Sequence, residues 1–237
     1  MAESAVAAAP SRRFPTQLIA ADADRMLGYV VPFAVAAVTL QALAHVGNAV
    51  LLDHRITNLD ADHDGNLLAW AGSAAIFAAA CSAALLAVIR RRALLGLLAL
   101  AALFLSLDET ASIHERLGQA GVNALSLSDD DYGRLIWPVL LFPILVVVAL
   151  GLWRVAETAR PDPRRAIAIG FVLLVAAVAA ELVWAAFPLS GGEIGSWPDA
   201  LAVAIEEGLE LGGWLLVAGG LAAVAVGEVL EVAGGRR

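Results

Sequence analysis

The stretch ALLGLLALAALFLSLDETASIHERLG, residues 93–118, changes character near its middle. Residues 93–104 carry no ionisable side chain at all. The next fourteen residues carry five: Asp108, Glu109, His114, Glu115 and Arg116. The apolar half predicts a helix within the hydrocarbon of a membrane, because a helix satisfies its own backbone hydrogen bonds there. We therefore expect a transmembrane helix that carries its ionisable groups toward one membrane surface.

The same apolar pattern recurs along the chain. Of the 237 residues, 60% are hydrophobic, whereas a soluble domain is nearer half apolar. Six blocks are long enough to cross about 30 Å of hydrocarbon: 27–52, 67–89, 93–113, 135–153, 166–187, and one within 200–227. This predicts an all-α fold, a six-helix transmembrane bundle over residues 27–232. Residues 1–26 are predicted as a disordered cytoplasmic tail and residues 233–237 as a second tail.

The last block raises a separate question, because its apolar pattern is longer than one bilayer requires. We predict a helix that starts after Ser196 and runs to about Val232. Such a helix tilts, protrudes, or breaks at the glycine pair 212–213.

The placement of arginine predicts the orientation of the bundle, since all fifteen basic residues are arginine. The arginine clusters lie before the first block, after the second, after the fourth and at the C-terminus. The alternate loops contain only Arg55, Arg116 and Arg134 and are otherwise acidic. The positive-inside rule then predicts both termini in the cytoplasm of a plasma (inner) membrane protein.

Composition also excludes several classes of protein. The net charge of −8 does not suit a nucleic-acid partner. The single cysteine, Cys81, excludes an internal disulfide. The sequence also lacks the Glu-x-x-His pairs of a di-iron bundle, the GxSxG nucleophile elbow of a hydrolase, the HExxH zinc motif and a glycine-rich phosphate loop.

Ionisable groups on four predicted helices fall at similar depth. Asp108 follows Arg92 by sixteen residues and Glu181 follows Arg165 by sixteen, roughly 24 Å of helix in each case. Glu210 precedes Glu228 by eighteen residues, roughly 27 Å. His45 lies roughly 30 Å from Arg25. Because acids within membranes are usually functional, we predict a shared site near the outer leaflet.

Histidine and several carboxylates form a ligand set that suits a divalent metal such as zinc, manganese or iron. The predicted metal ligands are Asp108, His114, Glu181, Glu210 and His45. The predicted acid or base groups are Asp108, Glu115 and Glu207. The alternative is that the outermost acids mark the wet ends of helices and that His45 is a core histidine.

The first acidic loop offers a second, weaker metal pattern. Asp60, Asp62 and Asp64 with Gly65 match the start of a calcium-binding EF-hand loop, but the twelfth position is Ala71 instead of glutamate. The alternative is that Asp64 and Asn66 cap the second transmembrane helix.

The motif Leu107-Asp108-Glu109 followed by His114-Glu115 resembles an L-D-E-x-x-x-x-H-E pattern. That pattern occurs in uncharacterised prokaryotic multipass membrane proteins, and the likeness covers the first half of the chain. The chain is more distantly similar to ceramidase and adiponectin-receptor-like membrane hydrolases. This second resemblance implies an intramembrane zinc site, although the HxxxH of those enzymes is absent here.

Three functions remain open from the sequence. The first is a metal-dependent hydrolase of a lipid-like substrate, working through a metal-activated water. The second is a proton- or cation-coupled small transporter that takes a cationic small molecule and forms a homodimer through glycines 212, 213, 219 and 220. The third is a membrane scaffold or assembly subunit. The lipid bilayer is the partner common to all three.

Overall fold

The computed structural model describes residues 16–61, 65–127, 132–185 and 196–233, with the side chains of residues 16–24 left out. These residues form seven α-helices and one short 3₁₀ turn, Thr57–Leu59, and no β-strand occurs among them. The helices are α1 (Thr16–Leu52), α2 (Leu67–Arg90), α3 (Ala93–Ala111), α4 (Ile113–Leu125), α5 (Gly133–Thr158), α6 (Pro161–Trp184) and α7 (Trp197–Ala233).

Six of the seven helices are long and apolar enough to cross a membrane, which confirms the predicted all-α bundle. The exception is α4, whose thirteen residues are too few to span and carry a polar face. Several helix boundaries differ from the prediction. Helix α1 already begins at Thr16, so it includes part of the predicted tail, and α3 ends at Ala111. The cytoplasmic location of the termini stays a prediction.

Five of the six long helices are arranged around a central space. Helix α2 packs against α3, α3 against α5, α5 against α6, α6 against α7, and α7 back against α2. These five helices therefore close a ring. Helix α1 lies outside the ring, mainly against α7, and α4 packs against α5. A ring of five helices leaves room at its centre that side chains do not fill, which is the origin of the cavity described below.

Helix α7 holds the bundle together. It is one continuous helix of 37 residues, about 55 Å long, so it does not break at the glycine pair 212–213. Its glycines instead permit close packing. A Cβ atom on Gly213 would lie 2.8 Å from Leu174 of α6, and one on Gly219 would lie 2.6 Å from Val30 of α1.

All four glycines of the predicted dimer face, 212, 213, 219 and 220, are buried within the chain. They contact α1 and α6 of the same molecule, so they do not support a contact with a second copy. The homodimer stays a prediction without that argument.

The C-terminal ends of α2, α5 and α7 meet at one end of the bundle. Arg90 at the end of α2 donates from Nε to Glu228 Oε1 of α7 at 2.6 Å. Its Nη1 donates to Thr158 Oγ1 at the end of α5, at 2.8 Å. The opposite end therefore contains the C-termini of α3 and α6 and the N-termini of α5 and α7, where the predicted acids lie.

Replacing Gly170 by alanine should destabilise the bundle. The new Cβ would lie 2.6 Å from the Gly213 carbonyl oxygen and 2.9 Å from the Val217 nitrogen, two backbone atoms that cannot rotate away. Overpacking of this kind costs about 1–3 kcal/mol. The measurement is the thermal unfolding midpoint in mild detergent.

The matched control is Gly96→Ala, since nothing lies within 4 Å of a Cβ built on that glycine of α3. It should leave the midpoint unchanged or raise it, because alanine favours helix by about 1 kcal/mol over glycine. Equal effects of the two substitutions would contradict the packing described here.

Candidate functional site: an acidic cavity inside the helix ring

The motif LDETASIHE, residues 107–115, spans a break between two helices. Helix α3 stops at Ala111, Ser112 adopts a left-handed conformation with φ of 50°, and α4 starts at Ile113. The Ser112 side chain makes no capping hydrogen bond. The exposed N–H groups of the first turn of α4 therefore need another acceptor.

Asp108 supplies that acceptor from the last turn of α3. Its Oδ1 accepts the backbone N–H of His114 at 2.6 Å, and its Oδ2 lies 3.1 Å from His114 Nδ1. A carboxylate can only accept, so the Nδ1 nitrogen of His114 carries the proton in this contact. The other ring nitrogen, Nε2, is then the atom of His114 that takes up or gives back a proton.

A cavity of about 700 Å³ occupies the centre of the ring. Every helix of the ring lines it, and so do α4 and Ala61 of the first loop. Along α5 it extends from Gly133 to Ala149, sixteen residues or roughly 24 Å. The cavity therefore starts at the acidic end of the bundle and reaches well into its interior.

The cavity has a polar part and an apolar part. Seven acids line the part at the helix ends: Asp108, Glu109, Glu115, Glu181, Glu206, Glu207 and Glu210. The cationic or titratable partners in the lining are His114 and Arg134. The deeper walls are apolar and include Phe142, Leu145, Phe171, Leu174 and Val175. Because Leu174 precedes Glu181 by seven residues on α6, this wall starts about two turns below the acids.

Hydrogen bonds hold three of the glutamates in place. Trp137 Nε1 donates to Glu181 Oε1 at 2.7 Å. Trp214 Nε1 approaches Glu210 Oε1 at 3.4 Å, and Gln41 Nε2 of α1 donates to Glu207 Oε2 at 3.3 Å. The carboxylates are therefore positioned by donors from three different helices.

Two aromatic groups complete the acidic part. The imidazole of His114 lies 5.2 Å from the indole of Trp137, with the planes tilted by 60°. His114, Arg134 and Glu210 are all within electrostatic reach of Glu181. A proton on His114 is thus placed between an indole ring and a carboxylate, both of which stabilise a positive charge.

The structure brings together most of the predicted site residues. Asp108, His114, Glu115, Glu181, Glu207 and Glu210 all line the cavity. Glu115 is largely exposed as well, so it also meets the surroundings of the bundle.

His45 lies outside the cavity lining. Its ring is buried, and its Nδ1 accepts the backbone N–H of Ala61 at 2.8 Å and lies 3.3 Å from Asp60. His45 thus anchors the first loop to α1. This structural role is close to that of a core histidine, the alternative given above for His45.

The donors do not gather into a metal cage. Within the described ranges, no group of three or more His, Cys, Asp and Glu residues is arranged to hold a metal ion. The donor set therefore gives the predicted zinc, manganese or iron centre no support, and we derive no step through a metal.

The structure describes only part of the predicted calcium-binding loop, because Asp62 and Asp64 lie outside the described residues. Asp60 contacts His54 at 3.0 Å, and Asn66 caps α2 by accepting the N–H groups of Leu68 and Ala69. The capping role of Asn66 is confirmed.

Sequence reasoning missed Trp137, Arg134 and Gln119. A tryptophan near the end of an apolar block is typical of an anchor at the membrane interface, yet Trp137 lines the cavity and donates to Glu181. A signal was present: Arg134 and Trp137 lie at i and i+3 at the start of α5, on one face of the helix. Only the position of α4, however, makes that face an inner one.

The fold and the cavity define a multipass integral membrane protein with six transmembrane helices, five of which surround an acidic cavity. Residues 30–224 match the family described as Domain of unknown function (DUF8692), and the match covers more than half of the chain, so the protein belongs to that family. No curated protein and no solved structure matches the chain significantly.

Removing the Asp108 side chain should loosen the start of α4. In Asp108→Ala the His114 N–H loses its acceptor, and loss of a helix cap costs about 1 kcal/mol. We expect amide hydrogen exchange of residues 113–116 to accelerate about fivefold in detergent, because the open state of the turn becomes more populated. Asp108→Asn keeps an acceptor oxygen and should show a smaller change.

Thr110→Ala is the control. That hydroxyl is exposed and donates to the Leu107 carbonyl of its own helix. Exchange in α4 should be unaffected by this substitution. An Asp108→Ala protein with native exchange in α4 would show that the cap is unimportant.

Proposed function

We propose that this protein is a membrane transporter that exchanges a cation for protons through the acidic cavity. The observation that carries the proposal is the concentration of seven carboxyl groups, from α3, α4, α6 and α7, in one cavity within a bundle of transmembrane helices. Of the three functions open from the sequence, this one uses the cavity without a metal.

The physical argument concerns repulsion between like charges. Carboxylates a few ångströms apart at low dielectric constant cannot all be ionised unless positive charge accompanies them. The described lining holds seven carboxyl groups beside one arginine and one histidine, Arg134 and His114. We infer that protons or a bound cation balance charge at these carboxyl oxygens. Either one can replace the other at the same oxygens, which is the exchange that a coupled transporter performs.

The arrangement also provides a route for the protons. Glu115 is largely exposed, whereas Glu181 and Glu210 are only partly exposed and are approached by tryptophan N–H groups. His114, oriented by Asp108, stands beside them. Protons leave this group of side chains when the cation enters and return when it leaves.

The position of the cavity supports transport more than scaffolding. A scaffold needs its acids on an outer surface where the arginines of a partner reach them. Here Asp108 is buried and the side chains of Glu207 and Glu210 are only partly exposed. The exposed residues of the long helices are mostly apolar, as expected for surfaces in contact with lipid.

Proteoliposomes with a pH gradient test the proposal. An enclosed pH-sensitive dye reports proton movement after addition of Na⁺, K⁺, tetramethylammonium or octyltrimethylammonium. We expect at least one of these cations to collapse the gradient with the wild-type protein. Glu181→Gln and Glu210→Gln should each slow that flux at least tenfold, because they remove a titrating carboxyl from the cavity.

The matched control is Glu157→Gln, which removes an exposed carboxylate of α5 that pairs with Arg154 outside the cavity. Its flux should equal that of the wild type. The proposal is wrong if no cation moves protons, or if the three substitutions affect the flux equally.

A further inference from the structure

The shape of the cavity indicates what kind of cation it takes. We infer that the ligand is an amphipathic organic cation, an ammonium head on an apolar body, and not a bare inorganic ion. This inference rests on the proposed function, since it names the substrate class of the same site.

The first argument is size. The cavity measures about 700 Å³, within the range of pockets that enclose organic ligands. An inorganic cation needs a small cage of oxygen donors instead. In the part of the chain that the structure describes, no three His, Cys, Asp or Glu side chains are grouped to hold a metal ion.

The second argument is the separation of polar and apolar walls. The carboxyl groups cluster at one end, and below them the walls include side chains such as Leu145, Phe171 and Leu174. A desolvated inorganic ion gains nothing from that lower part, since it offers no oxygen ligands. An alkyl or aryl group gains about 0.8 kcal/mol in free energy for each methylene that it buries there.

The third argument is the placement of indole rings beside the carboxylates. Trp137 and Trp214 line the cavity, and each N–H points at a glutamate, Glu181 and Glu210 respectively. These bonds fix the indoles next to the negative charge. An ammonium group held by Glu181 or Glu210 would lie within a few ångströms of a ring, a combination that stabilises organic cations through cation–π attraction.

Depth along the helices gives the length of the ligand. On α6 the lining extends from Glu181 back to Phe171, ten residues or about 15 Å. A cationic head at Glu181 therefore leaves space for a body of eight or more carbon atoms along that wall, by an order-of-magnitude estimate from the helix rise.

Four probes separate these contributions in binding assays on protein in lipid nanodiscs, with empty nanodiscs as the blank. Octyltrimethylammonium has both head and body, octanesulfonate has the same body with the opposite charge, and tetramethylammonium has the head alone. Na⁺ is the inorganic competitor. We expect saturable binding of octyltrimethylammonium at least tenfold tighter than that of tetramethylammonium. Octanesulfonate should not bind, and Na⁺ should not compete.

Two pairs of variants locate the ligand. Trp214→Leu should weaken binding of octyltrimethylammonium about tenfold, whereas Trp153→Leu, at an exposed indole outside the cavity, should not. Ala149→Phe fills the deep end of the cavity. It should lower the affinity for octyltrimethylammonium to that for tetramethylammonium. Ala78→Phe, at an exposed position of α2, is its control.

The results separate this inference from the proposed function. Equal binding of the cationic and anionic octyl compounds, or an affinity that does not depend on the octyl chain, overturns the ligand class. If Na⁺ or K⁺ drives proton flux while octyltrimethylammonium fails to bind, the transporter stands and the ligand class is wrong. If octyltrimethylammonium binds as expected but no pH gradient moves it, the ligand class stands and the transporter is wrong.

Discussion

The hydrogen bond from the His114 backbone N–H to Asp108 is the contact on which the site depends. Where one helix stops and the next starts, the first N–H groups of the second helix have no acceptor within their own helix. In hydrocarbon each unsatisfied N–H group costs several kcal/mol in free energy. Asp108 supplies the acceptor from the preceding helix. It thereby fixes both the bend at Ser112 and the direction of α4. The same carboxylate selects the tautomer of His114 and places its ring against Trp137.

The second constraint is the ring of five helices. Glycines of α7 let α1 and α6 approach closely on one side, and the remaining helices close around a space that no side chain fills. Apolar walls at low dielectric constant make every charge in that space expensive. Seven carboxyl groups in such a space are therefore coupled: the proton on one depends on the charge of its neighbours and on whatever cation is bound. Exchange of protons for a cation is the behaviour that this coupling favours.

The amphipathic form of the cavity follows from the same architecture. Near the helix ends the lining residues are polar because water and α4 are close, and deeper in the bundle they are apolar because the helices there face one another and lipid. A ligand with a charged head and an apolar body reproduces that gradient. The tryptophans at the boundary contribute an apolar ring to one part and an N–H donor to the other.

The sequence alone determined the class of protein and the number of transmembrane helices, and it predicted that the acids share one end of the bundle. These depend on local quantities: the length of an apolar run, the rise of 1.5 Å per residue, and the spacing of Asp108, Glu181 and Glu210 from arginines at helix ends. It did not determine which faces of the helices point inward. The tertiary structure decided that Trp137 lines the cavity, that His45 instead anchors a loop, and that the glycines of α7 pack within the chain. Nor did the apolar pattern reveal α4, because this short helix has a polar face and the break before it depends on the bond from the His114 N–H to Asp108.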